Sequence, residues 1–321
     1  MTCLESFSIP MKALHTPDRT RARRLPVLID MEPLDIRRED IGGHLMEYSK
    51  RDLSHQSDAL KAFLGILSYF KTKNSWHHFL GNPIHAKESH LINAWYHPEP
   101  ATRRPEFPSW SWTGWKGALK LTSRDNPDYK LQLETKTGKL VSVHEYIELC
   151  DKSQTPDMER FVQLTGKMIN VQFERIHRTS DTQIARNSSH DGLTLKNGFW
   201  AILPFTNDVV SYSFLYRDDE ALKEETGFTL PAMVLETGIH SQNHITVVLV
   251  LRKKNNDYER VGLLRMGNAT KPEAGDKSWI SDVETVVYKD ASGHWSKHAP
   301  ICKLERRVWL KAAEEETIRL R

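Results

Sequence analysis

The chain has 321 residues, and its 45 lysines and arginines against 42 aspartates and glutamates leave a net charge of only +3. This near balance leaves no excess of basic residues that could bind a phosphate backbone, which argues against non-specific nucleic-acid binding. The three cysteines, Cys3, Cys150 and Cys302, lie far apart and form no Cys-x-x-Cys pair, so we expect neither a disulfide framework nor a paired-cysteine metal site, and a reducing, cytoplasmic location.

The first 35 residues are rich in arginine and proline and lack hydrophobic periodicity. We predict that residues 1–35 are a disordered lead. No apolar run approaches the ~20 residues that a membrane span requires, and the N-terminus has no apolar signal-peptide core. We therefore expect no membrane as a partner.

Residues 36–120 are predicted to be a helical region. Ile41, Leu45 and Tyr48 repeat at helical spacing, which predicts a first helix. Ser57–Lys71 is predicted to be the second, capped by Ser57 and with Asp58 at the positive end of its dipole. Its apolar face would consist of Leu60, Phe63, Leu64, Leu67 and Phe70. A short third helix is predicted around Ser89–Tyr96, ended by Pro98.

Residues 103–117 read RRPEFPSWSWTGWKG, and we call them the tryptophan segment. In an extended strand, Trp110 and Trp112 would share one face, with Ser109, Ser111 and Thr113 on the other. Indoles this dense must be packed in a core or face a ligand. Core aromatics are the commoner case, so we favour a structural plug over a stacking platform for bases or sugars formed by Trp110, Trp112 and Trp115.

Arg103 and Arg104 open the tryptophan segment. An arginine can bind a carboxylate through two hydrogen bonds or stack on an indole. We expect a buried ion pair from one of them to Asp52 or Asp58, which would tie the segment to the helical region; a backbone carbonyl is an equally available acceptor.

Residues 121–321 are predicted to be a β-rich domain, because the hydrophobic period changes to two. Alternation predicts strands around Tyr129–Leu133, Ile169–Phe173, Val210–Tyr216 and Val283–Val287. His244–Arg252 is apolar on both faces, so it should be a central strand, followed by a strand at Tyr258–Met266. Asp181–Asp191 is predicted to be a mobile loop. The tail Arg307–Arg321 is ambiguous, because Trp309–Glu316 favours a helix whereas Thr317–Leu320 could close the sheet. The predicted fold is α+β, a small N-terminal helical layer followed by a mostly antiparallel β-sandwich or barrel-like sheet.

The sequence contains no residue spacing typical of a catalytic or metal-binding motif. His240 and His244 have the i, i+4 spacing but precede a strand and lack the glutamate of a zinc-protease motif. No nucleophile elbow and no phosphate-binding glycine loop occurs. We interpret the histidines as surface residues and Asp218-Asp219 and Glu314–Glu316 as solvated charge. The sequence thus predicts no catalytic, cofactor-binding or metal site, and no enzyme.

Two strings of the helical region resemble those of a known family. Residues 48–54 read YSKRDLS and residues 57–67 read SDALKAFLGIL, and the tryptophan segment follows in the same order. Together they resemble motifs that lie downstream of the core domain in fungal heterokaryon-incompatibility (HET domain-containing) proteins. The resemblance is specific over about residues 40–120 and extends to the rest of the chain only in general character.

The resemblance implies a role in non-self recognition and regulated cell death. Family members carry their core before these motifs, and neither core string, a Ser-His-Cys-Trp-Gly-like strand or a Trp-Thr-x-Gln-Glu-like helix, occurs here. The chain is therefore expected to be a non-catalytic accessory region whose partner is a protein or an effector core. One alternative is a β domain that binds carbohydrate or nucleotide through the tryptophans. Another is a TIR-like NAD-consuming enzyme, if a core precedes this region in the full gene product.

Overall fold

The computed structural model describes residues 38–85, 95–121, 128–175, 199–206, 209–218, 227–240, 243–268, 287–289, 295–296 and 308–321, all within one compact unit, Arg38–Arg321. The regions predicted as 36–120 and 121–321 both contribute to that unit. The predicted lead 1–35, the loop Asp181–Asp191 and most of the predicted third helix lie outside the described residues.

The helices come mainly at the start of the described chain. The α-helices are Arg38–Ser49 (α1), Leu64–Asn74 (α2), Val143–Asp151 (α3) and Val308–Lys311 (α4), and 3-10 turns cover Gln56–Asp58, Lys61–Phe63 and Trp112–Gly114. The first eight strands are short: Trp76–Phe79 (β1), Asn82–His85 (β2), Trp95–Tyr96 (β3), Thr102–Arg103 (β4), Trp115–Lys116 (β5), Lys120–Leu121 (β6), Tyr129–Thr135 (β7) and Leu140–Ser142 (β8).

The later strands are longer and build the main sheet. They are Met158–Arg175 (β9), Phe199–Thr206 (β10), Val209–Arg217 (β11), Gly227–His240 (β12), Asn243–Lys254 (β13), Asp257–Asn268 (β14), Val287–Lys289 (β15), Trp295–Ser296 (β16) and Glu314–Leu320 (β17). Together with β7 and β8 they form one sheet of eleven described strands, in which only the short β14–β17 pairing is parallel. This confirms the predicted α+β class with a mostly antiparallel sheet.

Six strands of this sheet close on themselves. The antiparallel pairings run β9–β10–β11–β14–β13–β12 and return from β12 to β9. The 18-residue strand β9 makes this possible, because its first half pairs with β7 and β17 and its second half pairs with β10 and β12. The sheet is therefore barrel-like, as one of the two predicted architectures required.

Two hydrophobic cores lie on opposite faces of β12 and β13. Val248 and Val250 of β13 belong to a core with side chains from all six strands of the ring and with Trp309 of α4. Val247, Leu249 and Leu251 belong to a second core, which also includes side chains of α3, β7 and β17. Both faces of β13 are thus buried, which confirms the prediction of a central strand.

Several elements differ from their predicted form. The predicted helix Ser57–Lys71 is two 3-10 turns followed by α2, which ends at Asn74, and no side chain caps the first turn. Leu64, expected in the apolar face, is 37% exposed, whereas Phe63, Leu67 and Phe70 are buried. Trp95, placed in a third helix by its spacing, lies in β3, since its backbone pairs with Leu121.

The predicted strand around Val210–Tyr216 is present as β11, and its Leu215 and Arg217 are buried. The tail contains both predicted states, since α4 precedes strand β17.

Replacing Leu249 by alanine should lower the free energy of unfolding by about 2–5 kcal/mol, because Leu249 is fully buried in a central strand and the change leaves a cavity. Urea unfolding followed by tryptophan fluorescence measures this loss. The matched control is Leu64→Ala in α2, which should cost less, about 1 kcal/mol, because more than a third of the Leu64 side chain is already exposed. Equal losses in the two variants would contradict the assignment of β13 as a central strand.

Candidate functional site

The tryptophan segment is a folded loop and not a strand. Its ends pair with each other as β4 and β5, and Trp112–Gly114 between them is a 3-10 turn in which Ser111 Oγ accepts a hydrogen bond from the Thr113 N–H. A Cβ at Gly114 would lie 2.3 Å from the Pro108 carbonyl oxygen, so this approach requires glycine. The predicted alternation is therefore wrong: Ser109, Ser111 and Thr113 are buried together with the indoles.

The three indoles of the segment are buried, as predicted for a structural plug. Trp110, Trp112 and Trp115 are 0%, 2% and 3% exposed. Each indole N–H donates to a backbone carbonyl: Trp110 to Arg160 at 3.0 Å, Trp112 to Gly81 at 2.8 Å and Trp115 to Ser109 at 2.7 Å. A buried indole with a satisfied N–H offers neither a face nor a donor to a base or sugar.

The segment contacts the helical layer through Trp112. Its ring meets those of Tyr48 and Phe63 edge to face, with centroids 5.7 and 5.3 Å apart. Trp110 instead stacks on Phe79 at 5.7 Å, and its N–H is held by the carbonyl of Arg160 in β9. A structural plug predicts that at least two of the three indoles pack against Ser57–Lys71. Trp112 does so through Phe63, whereas Trp110 packs on Phe79 and toward the sheet.

The β1–β2 hairpin presents carbonyl groups to the segment. Its two loop residues, Leu80 and Gly81, have φ values of 47° and 89°, which is the left-handed geometry of a tight hairpin. Leu80 O accepts a hydrogen bond from Ser111 Oγ at 2.9 Å, and Gly81 O accepts the Trp112 N–H. The segment therefore binds the backbone of this turn in addition to packing on side chains.

Ser109 joins the segment to an edge of the main sheet. Its hydroxyl accepts a hydrogen bond from the Arg260 N–H of β14 at 3.1 Å and donates to the Arg321 carbonyl, which also accepts the Ser109 N–H at 3.0 Å. Along the same edge, β14 pairs with β17 at Tyr258 and with β11 from Gly262 onward. Ser109 therefore occupies the interval between two strands and supplies ladder hydrogen bonds there.

Arg104 connects the segment to the turn between the two upstream motifs. Its Nε donates to Gln56 Oε1 at 2.8 Å, and its Nη1 donates to the carbonyls of Thr113 and Trp115. Arg104 is buried, and burial lowers the pKa of its guanidinium from the usual value. The link to the helical region therefore exists, but its acceptor is an amide.

The predicted carboxylate partners bind lysines instead. Asp52 lies 2.8 Å from Lys116 Nζ, a hydrogen bond that lowers the pKa of Asp52, and Asp58 lies 3.8 Å from Lys61 Nζ in an exposed pair. The prediction of an arginine ion pair to Asp52 or Asp58 is wrong in its partner. An amide satisfies a buried N–H without the cost of burying a second charge, which explains why Gln56 suits this position.

Arg103 holds the loop of the segment together. Its guanidinium donates to the carbonyls of Arg104, Gly114 and Phe107, the last at 2.6 Å, and lies over the Trp115 ring at 5.3 Å from the centroid. The carbonyl acceptor and the indole stacking considered from the sequence are therefore both present at Arg103.

A buried ion pair beside the segment was missed by sequence reasoning. Arg260 Nε lies 2.5 Å from Asp218 Oδ2, and both side chains are fully buried. The interpretation of Asp218 as solvated charge is wrong: the residue is fully buried, its N–H donates to Val261 O and its carbonyl accepts the Ala101 N–H. Arg260 directly precedes the buried run 261–264 of β14, which is a signal that it is buried, but nothing local identifies Asp218 as its partner.

The histidines also differ from the surface interpretation. His77 and His97 are buried, whereas His144 is exposed. Burial lowers the pKa of His97 and of His77, and it lowers the pKa of His78 to about 4. His77 Nε2 lies 3.3 Å from the Asp151 carboxylate, which opposes the shift at that residue.

Among the described residues, no group of three histidine, cysteine, aspartate or glutamate side chains has the spacing to hold a metal ion. In the same part of the chain, no helix has the length and apolar character needed to cross a membrane.

A comparison with models of known families, with curated proteins and with solved structures found no match to this chain. The site is therefore interpreted from its geometry: it joins elements of the fold.

Replacing Gln56 by alanine should cost about 1–3 kcal/mol of unfolding free energy, because it removes the acceptor of a charged, buried donor. A double-mutant cycle with Arg104→Ala should give a coupling energy of similar size. The control is Asp58→Asn, which breaks only an exposed ion pair and should change stability by less than about 0.5 kcal/mol. A loss at Asp58 as large as that at Gln56 would restore the ion-pair hypothesis.

Stability should fall as the pH drops from 7 toward 4. The folded-state pKa of His78 is about 4 and that of His97 is also lowered, whereas an unfolded histidine titrates near 6.5. The unfolded state therefore binds more protons between these values, and acid favours it. Urea unfolding across this range should show a weaker pH dependence in His78→Gln, and the parent dependence in His144→Gln. An unchanged slope in His78→Gln would contradict the assignment.

Proposed function

We propose that this chain is a non-catalytic accessory region of the heterokaryon-incompatibility type, which binds a protein partner or an effector core. One observation carries the proposal. The motifs that resemble the family contact each other inside the fold, through the ring of Trp112 with those of Tyr48 and Phe63. Motifs that pack against each other in this way support a fold in common with the family that they resemble.

The proposal assigns the motif residues a structural role. The indoles of the tryptophan segment are covered, and their N–H groups are bound to protein carbonyls. A ligand-binding domain that used this cluster would need at least one accessible indole face. The burial therefore favours the accessory role over a carbohydrate or nucleotide site at these tryptophans.

The physical task of such a region is to present a surface while its own fold stays rigid. The tryptophan segment is bound to the helical layer by Trp112 and to the main sheet by Ser109 and Trp110. A partner that binds the helical layer therefore meets a surface that is fixed to the main sheet, and a partner that binds the sheet meets one that is fixed to the helical layer. Binding would restrain or position an effector core without any chemistry by this chain.

The experiment combines a binding measurement with two activity assays. Purified residues 1–321 are tested for binding to an isolated core domain of a fungal incompatibility protein, for loss of NAD, and for cell death on expression in a responsive fungal host. We expect saturable binding to the core, no NAD loss and no cell death from the chain alone. The Leu64→Ala variant, expected to lose only about 1 kcal/mol of stability, serves as the folded control.

Three results would overturn the proposal. The first is NAD consumption or cell death that a single substitution in this chain abolishes while the unfolding midpoint stays unchanged. The second is the absence of binding to any of a panel of family core domains at concentrations where the chain is folded and monodisperse. The third is binding that persists in a Trp112→Ala variant that has unfolded. This substitution should lower the free energy of unfolding by about 3–5 kcal/mol, and binding by an unfolded chain would not depend on the scaffold.

A further inference from the structure

Four polar side chains form a buried cluster beside the tryptophan segment. Trp95, His97, Asp218 and Arg260 are each 3% exposed or less. The Arg260 guanidinium lies over the Trp95 ring with its Cζ 3.4 Å from the centroid, and the His97 ring is 5.2 Å from the same ring. We call these four residues the polar cluster.

The charges in the polar cluster are balanced. Arg260 Nε and Nη2 face the two carboxylate oxygens of Asp218 at 2.5 and 3.4 Å, and Nη2 also donates to the Trp95 carbonyl at 2.6 Å. These bonds provide partners for Nε and Nη2 of the guanidinium. Because Asp218 neutralises Arg260, the cluster has no net charge that calls for an added anion.

Three nitrogens of the polar cluster lack a protein partner. Considering the residues that the structure describes, Trp95 Nε1, His97 Nε2 and Arg260 Nη1 are buried and form no hydrogen bond. Buried groups of this kind are normally bound, either by protein or by an internal water. Three such atoms in one cluster are unlike the tryptophan segment next to it, where each of the three indole N–H groups has a carbonyl acceptor.

The chemistry of the three nitrogens specifies what can bind them. His97 Nδ1 lies 2.8 Å from the Ala118 carbonyl oxygen, which can only accept, so Nδ1 carries the proton and Nε2 of the neutral ring presents a lone pair. Trp95 Nε1 and Arg260 Nη1 are donors. A ligand that meets all three must accept from N–H groups and donate to an imidazole nitrogen, while adding no charge. Water has these properties and is the smallest molecule that does.

We propose that the polar cluster binds internal water, held by Arg260 Nη1 and Trp95 Nε1 as donors and by His97 Nε2 as acceptor. The site lies where β3, the residue after β11 and β14 meet, beside the ladder position filled by Ser109. Bound water completes the hydrogen bonding of this junction, a role that the protein's own carbonyls fill at Trp110, Trp112 and Trp115.

The test is nuclear magnetic resonance on the full chain with ¹⁵N-labelled tryptophan and histidine. We expect a direct cross-relaxation peak from water to the Trp95 indole proton, with the NOE and ROE signs of a bound water and not of proton exchange. Trp112 and Trp110 are matched internal controls, because they are equally buried but bonded to carbonyls, and they should show no such peak. Trp95→Phe assigns the resonance, and the His97 Nε2 shift should be that of a hydrogen-bonded, unprotonated nitrogen.

Two outcomes would overturn the proposal. Trp95 could show no more transfer from water than Trp112, with a His97 Nε2 shift typical of a free lone pair. Alternatively, native mass spectrometry of the purified chain could detect a stoichiometric added mass larger than water that disappears in Trp95→Phe, which would identify the occupant as a small molecule.

Discussion

The fold depends on burying the tryptophan segment with every indole N–H satisfied. The acceptors come from three separate places: Arg160 on β9, Gly81 in the β1–β2 hairpin, and Ser109 in the segment itself. An indole N–H left without a partner in a core costs on the order of 1–3 kcal/mol. The β1–β2 hairpin and the main sheet must therefore both be in place for the segment to be buried with these donors satisfied.

Ser109 extends this coupling into the wall of the barrel-like sheet. A strand edge with unpaired backbone groups is normally covered or paired. Here β14 is paired by β17 at one position and by β11 further along, and Ser109 and Asp218 bond to the groups between them. Asp218 makes this ladder bond through its backbone N–H, and its carboxylate neutralises Arg260, so ladder closure and charge burial occur at one place. Breaking either partner would leave a buried charge uncompensated.

This architecture is the basis of the functional proposal. The resemblance to incompatibility proteins is carried by side chains that contact each other and the backbone. One of them, Trp112, contacts the upstream motifs directly, and Arg104 bonds to Gln56 in the turn between those motifs. Such residues report on a shared fold more than on shared chemistry. The proposed accessory role follows from that distinction, and the partner surface has to be sought outside the motifs.

The sequence by itself determined the features that depend on local periodicity. The first helix, the β7 and β9 strands, the doubly buried β13 and the burial of the tryptophans all follow from spacing and composition. Tertiary structure decided the rest. Asp218 is buried beside Arg260, a partner 42 residues along the chain. The burial of such a charge is set by a neighbour that is distant in sequence, and no local pattern identifies that neighbour.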